Sequence, residues 1–293
     1  MTRYAAIAMA ATMMAAKAGA QPPTLADVLA RAASYVESFE RQLTGIAAAE
    51  RYVQTMGIPG RTGEFIPTTR RTLTSTLLLI REGDEGYLEA RDVREVDGAP
   101  VRDRGGSLAV RAAAEASKWD AVDKMRLRED NARYNIGDVV RTINTPLLAL
   151  QVLRRQNQSR FRFAAAADRS ANVRALSGNT PGVFRVSTDV WVVEFRERAR
   201  GTLVRTQKRR DVPSRGRLWI DAETGRVMMT EMIVDSREVK AAVTVSFKSE
   251  PLLGLLPPIE MHERYRATGR SQTIIEATAE YGPFHLMTPQ TTP

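Results

Sequence analysis

Cysteine is absent from the 293 residues. That excludes disulfides, thiolate nucleophiles and thiolate metal sites. Histidine is nearly absent: His262 and His285 are too few for a histidine-rich metal centre. Beyond the first twenty residues no apolar run approaches the roughly 18 residues that a membrane-spanning helix needs. No His-Glu-x-x-His, Gly-x-Ser-x-Gly or phosphate-loop pattern occurs. Aromatic residues make up 6%, and none interleaves the basic stretch Arg205 to Arg217, so base stacking has no platform there. The remaining composition, 43% hydrophobic and 26% charged, is that of a globular chain.

The first twenty residues read as a targeting segment. Arg3 supplies a positive start, Tyr4 to Ala16 is apolar, and Ala18-Gly19-Ala20 offers small residues for cleavage before Gln21. Thirteen helical residues rise only about 20 Å, too little for a bilayer core. The expectation is a signal peptide over 1–20, export to the periplasm or beyond, and one α+β domain over 21–293 with a helical insertion at about 105–157. The net charge of +9 is uneven. Residues 154–217 hold 16 Lys or Arg against 5 Asp or Glu. Such a stretch is either a solvated face or an attraction for anionic headgroups, with Arg205, Lys208, Arg209 and Arg210 the expected contacts. Export makes nucleic acid an unsuitable partner.

The pattern along the chain starts with a helix. Thr24 and Asp27 form a near capping box, and Leu25, Val28, Leu29, Ala32, Val36 and Phe39 recur at helical spacing. Ile46 to Met56 reads as a strand and Gly57 to Pro67 as a loop. A hairpin follows over Arg71 to Ile80 and Leu88 to Val96, turning at Gly83 to Gly86. The second strand alternates better in charge than in hydrophobicity, which predicts half exposure. Asp97-Gly98 marks a tight turn. Ser107 to Arg133 reads as one long helix, and Thr145-Pro146 opens another to about Gln156. From Ser159 the pattern is β, with Ala165 to Pro181 loop-like and Val183 to Arg196 extended. Val239 to Phe247 has the cleanest period of two, and the last strands are Ile259 to Ala267 and Thr273 to Tyr281. Short turns between successive strands predict an antiparallel sheet, with residues 183–281 a meander.

The segment Gly216-Arg217-Leu218-Trp219-Ile220-Asp221-Ala222-Glu223-Thr224-Gly225-Arg226-Val227 resembles a hairpin common in the LolA/LolB-like, periplasmic lipoprotein-carrier superfamily. The chain is also similar to a group of secreted bacterial proteins carrying Arg133-Tyr134-Asn135-Ile136-Gly137 and Arg141-Thr142-Ile143-Asn144-Thr145-Pro146. The resemblance implies a curved antiparallel sheet, a half-barrel, with helices packed on its concave side. It also implies a cavity for acyl chains or hydrophobic peptides, and no catalysis.

Two readings of the apolar residues stay open, a filled core or a ligand cavity. In the cavity reading the lining is Trp119, Val122, Leu147, Leu150, Trp191, Val193, Phe195, Val245 and Met261. A monomeric, non-enzymatic carrier of a lipid, acyl chain or lipoprotein is the leading expectation, with no metal or cofactor. The alternative is an envelope interaction module with a filled core, and the weaker one a hydrolase. His262 and Glu263, neighbours on a strand, should face opposite sides. His285 should lie in a loosely held terminus. Asp221 is expected to bond its own turn rather than a cation.

Overall fold

The computed structural model describes residues 22–42, 45–82, 86–101, 108–115, 118–137, 143–166, 190–206, 210–237, 239–251, 253–268 and 272–287. Residues 1–20, expected to be a targeting segment, Gly83 to Glu85, most of Ala165 to Pro181, the start of the expected Val183 strand, and Lys208 and Arg209 lie outside them. In chain order the elements are α1 (Leu25–Gln42), β1 (Ile46–Pro59), β2 (Phe65–Glu82), β3 (Gly86–Val96), β4 (Ala99–Pro100), α2 (Leu108–Glu115) and α3 (Ala121–Ala132). A 3-10 helix (Leu148–Leu153), α4 (Arg155–Gln158), β5 (Phe161–Ala165), β6 (Val190–Glu197), β7 (Val204–Arg205) and β8 (Asp211–Val212) follow. The last are β9 (Ser214–Asp221), β10 (Val227–Asp235), β11 (Val239–Phe247), β12 (Pro258–Ala267), β13 (Ile274–Tyr281) and β14 (His285–Leu286).

The fold is α+β, built on one large, curved, open antiparallel sheet. Its strand order is β4-β3-β2-β1-β13-β12-β11-β10-β9-β6-β5, with β14 added to β1 and β7-β8 a separate hairpin. Two meanders are thus joined where β1 meets β13, with Glu50 opposite Tyr281 and Gly57 opposite Ile274. Neighbouring residues on a strand point to opposite faces, and the buried clusters separate accordingly. Leu77 and Leu79 of β2 belong to the main core, whereas Leu78 and Ile80 belong to a second, smaller one. The main core unites α1, the 3-10 helix and strands from β1 to β13.

Several sequence expectations hold in detail. Thr24 and Asp27 form the reciprocal cap: Asp27 N–H donates to Thr24 Oγ1 at 3.2 Å and Thr24 N–H to Asp27 Oδ2 at 2.9 Å. Val28, Ala32, Val36 and Phe39 are buried along α1. Asp97 and Gly98 take φ of 53° and 78°, as a tight hairpin turn requires. Strands β9 to β13 follow one another in sheet order.

Five expectations are corrected. Gly57 to Pro67 is mostly strand. The hairpin continues to Pro59 and resumes at Phe65, with Gly60 N–H donating to Glu64 O and a bulge at Met56/Gly57 absorbing the irregular residues. The long helix over 107–133 is two helices. Asp120 accepts from the Val122 and Asp123 amides, and this cap starts α3 afresh. The helix after Pro146 is a 3-10 turn followed by the four-residue α4. Strand β3 is not half exposed: Leu88 and Ala90 are buried on one face, and the Arg91 side chain on the other pairs with Glu50. The C-terminal stretch is held, because Phe284 is buried and His285 and Leu286 pair with β1.

Candidate functional site

The helical insertion divides between the two faces of the sheet, and this decides what can form a site. Helices α2 and α3 pack on the face that carries Leu78, Ile80, Leu88 and Ala90. Asn131, near the end of α3, accepts from Arg91 N–H at 2.8 Å and donates to Glu89 O at 2.7 Å. Its amide therefore occupies backbone groups of β3 that the two-residue β4 does not reach. Beyond that clamp the chain passes to the main face. There residues 134–137 lie over β1, β2 and β13, and residues 143–147 lead into the 3-10 helix.

Polar fastenings hold these two segments to the main face. Gln54, fully buried on β1, accepts from Ile136 N–H at 3.1 Å and donates to Tyr134 O at 3.4 Å. Arg71 donates to the same carbonyl at 3.1 Å. Leu147 N–H donates to Glu89 Oε1 at 3.3 Å. Gly137 presses on apolar side chains of the face: a Cβ there would stand 3.0 Å from Ile275 Cδ1 and 3.1 Å from Met56 Sδ. Both polar side-chain atoms of Asn135, Asn144 Nδ2 and the Tyr281 hydroxyl are buried without a hydrogen-bond partner among the described residues. Each such atom costs on the order of 1–3 kcal/mol.

The same face carries a buried ionic group. Arg91 forks onto Glu50 through Nε and Nη2, at 2.5 and 2.8 Å, and Ser75 Oγ donates to Glu50. The guanidinium lies 4.7 Å from the Tyr52 ring centroid. Burial would lower the arginine's pKa, but the Glu50 charge and its hydrogen bonds outweigh that and raise it. Glu89, half-buried beside the pair, has its carboxyl pushed up to about 8, chiefly by desolvation; Leu147 N–H and Arg91 oppose the shift and Glu50 adds to it. Tyr281 is pushed up by burial and by the Glu50 charge.

The residues anticipated as ligand contacts do not all meet. Leu147 and Leu150 lie in the main core with Val193, Phe195, Val245 and Met261, and Trp191 packs against that core. Trp119 does not join them; it sits in the opposite-face cluster. Val122 faces solvent, 46% exposed. The reason is the edge crossing after Asn131, which periodicity within one helix does not reveal. Arg205 is exposed and ion-pairs with Asp211 at 3.6 Å; Arg210 is exposed beside it. Glu50, Gln54, Glu89 and Arg91 escaped the sequence reading. On β1 the signal was Glu50 and Gln54 on the inward register of an otherwise apolar strand, whereas the alternating charge of β3 carries no such signal for Glu89 and Arg91.

The hydrolase reading gains nothing from His262. Its Nδ1 meets Thr278 Oγ1 at 3.1 Å and its Nε2 meets Glu260 Oε1 at 3.0 Å, while Glu263 is buried on the other face. The hydrogen bond with His262 holds the Glu260 carboxyl below its usual value. This row resembles a hydroxyl–imidazole–carboxylate relay. However, β12 is paired on both sides, so nearby backbone amides are engaged in the sheet rather than directed at an oxyanion.

No family model matches the chain, and no curated protein does. Among solved structures the chain is similar to a domain from Vibrio parahaemolyticus provisionally described as outer membrane lipoprotein-sorting. Identity is 11%, coverage 89% of this chain and 92% of that one, and the TM-score 0.39. It is also similar to a LolA superfamily protein from Nitrosomonas europaea, at 10% identity, 89% and 94% coverage, and a TM-score of 0.31. The fold described here rests on this chain's own strand pairing, and no ligand or role follows from these two likenesses.

Proposed function

We propose that the protein is a non-enzymatic binding protein of the cell envelope. Its ligand is hydrophobic or amphipathic, such as an acyl chain or a lipidated segment. The ligand takes the place of residues 134–137 and 143–147 on the main face of the sheet. The observation that carries this reading is the manner in which those segments are fastened. Hydrogen bonds with Gln54, Arg71 and Glu89 hold them over apolar side chains, and buried atoms of Asn135, Asn144 and Tyr281 lack partners among the described residues. A contact with uncompensated polar atoms is cheaper to open than a sealed hydrophobic one. The face beneath offers Tyr52, Met56, Met261, Tyr265 and Ile275 to an apolar chain. The envelope assignment rests on the targeting segment.

A second reading, an interaction module filled by its own chain, is favoured by the burial of Leu147, Leu150, Val152 and Leu153, all at most 2% exposed. Titration with a fluorescent fatty acid, alongside native mass spectrometry, separates the two. Wild type should bind, and Gln54→Ala, which removes the Gln54 bonds to Tyr134 and Ile136, should bind more tightly. Absence of lipid on both proteins, with both folded, would leave the filled module.

A further inference from the structure

A different surface carries its own chemistry. Between α1 and the turn from β9 to β10 lies an open groove of about 560 Å³, lined by Ala30, Arg31, Ser34, Tyr35, Arg155, Thr224 and Arg226. Three elements each contribute one guanidinium, and rigid contacts fix all three elements. Arg31 Nη1 donates to Ala222 O at 2.6 Å, tying the helix to the turn. Asp221 Oδ1 accepts from the Glu223 and Thr224 amides and shapes that turn. Gly225, at φ 74°, brings the turn so close to α1 that a Cβ would stand 2.4 Å from the Arg31 carbonyl carbon. Arg155 donates to Glu37 at 2.7 Å and to Ser34 Oγ at 2.6 Å.

The groove therefore gathers three positive charges; Glu37 pairs with Arg155, the Asp27 carboxylate interacts with Arg31, and Asp221 and Glu223 stand in the turn itself. Arg226 is exposed, and its side chain forms no hydrogen bond or ion pair among the described residues. Arg31 and Arg155 keep further N–H donors after the bonds named above, since each guanidinium carries five. The Tyr35 phenol is pushed up by burial and so stays neutral, while the Arg226 charge opposes that shift. Arginine forks match the geometry of phosphate oxygens, and several of them in one concavity compensate a doubly charged group.

We infer that this groove binds a phosphate monoester group, through Arg226, Arg31 and Arg155 with Ser34 and Thr224 at its walls. The group's source is either a lipid headgroup or a soluble phosphate compound. Calorimetry with inorganic phosphate and glycerol phosphate tests the soluble source. Cosedimentation with phosphatidylcholine vesicles, with and without phosphatidic acid, tests the headgroup. Saturable binding in either arm, weakened about tenfold or more in Arg226→Gln, is the expected result. Arg31→Gln should behave similarly, and thermal unfolding should show Arg226→Gln as stable as wild type. Arg126→Gln, on α3 across the sheet from α1, should leave binding unchanged. No binding in either arm overturns the inference, as does an equal loss in Arg126→Gln, which would mean diffuse charge attraction. Gln54→Ala should leave phosphate binding intact, so this site and the main-face reading stand or fall separately.

Discussion

Glu50 and Arg91 illustrate what a residue gains and risks by burial. Both side chains are nearly without solvent contact, 0% and 4% exposed. Their attraction offsets a desolvation cost that neither meets alone. Glu50→Ala strands the guanidinium and should cost about 3–5 kcal/mol in urea unfolding. Replacing both partners by apolar residues, Glu50→Leu with Arg91→Met, should recover most of that loss. Glu89 makes an opposite prediction about pH. Its carboxyl is raised from 4.5 to about 8 in the folded chain, so between those values the folded state holds a proton that the unfolded state has released. Stability should fall as pH rises through this window, by at most about 1.4 kcal/mol per unit, and level off above it. Glu89→Gln should remove that slope. Thermal unfolding at pH 5 and pH 8 checks it: the melting temperature gained by the variant should be larger at pH 8. Neither residue was legible as buried, because alternating charge along β3 reads equally well as a wet face. Only the partner strand, with Glu50 and Ser75 across the sheet, decides between them.

Element by element, the sequence is most transparent where a local device acts alone. The Thr24–Asp27 box, the Asp97–Gly98 turn and the Asp221 turn each needed a few neighbouring residues and no tertiary information. Where local signals compete, the reading failed. Apolar residues from Leu108 to Met125 share a helical stripe, yet α2 ends at Glu115 and Asp120 caps the start of a separate α3. That cap should matter more than its exposure implies, since α3 is largely charged and buries only Leu127. Asp120→Ala should cost about 1 kcal/mol. It should also raise hydrogen exchange at the Arg91 amide, which Asn131 covers. Unchanged exchange there would show that the clamp does not depend on the cap. The hairpin of β1 and β2 gives the complementary lesson. Prolines and glycines at its end suggested a loop, whereas Ile58 and Ile66 continue the ladder, because a proline at a hairpin end sacrifices few hydrogen bonds.

On the scale of the whole molecule, one sheet separates two apolar layers. Trp119 and Leu150 lie on opposite sides of it. Trp119→Ala should cost about 3–5 kcal/mol and Leu150→Ala about 2–5 kcal/mol. Their effects should add to within about 0.5 kcal/mol in the double variant, as sites without shared partners do. Of the two, Leu150→Ala alone should alter fatty-acid binding. A strong coupling energy would show that the layers communicate through the sheet. The seam between β1 and β13 has a further consequence, for the order in which the molecule comes together. Glu50 cannot meet Tyr281 until the long stretch of chain between them has been made. The first meander must therefore wait with β1 unpaired on one side, offering an open edge to any other extended chain. Such distant pairing slows folding, because the entropy of closing the intervening chain is spent before the contact repays it. Assembly of this sheet is thus most exposed to mispairing early, and β13 and β14 end that exposure by occupying the edge of β1.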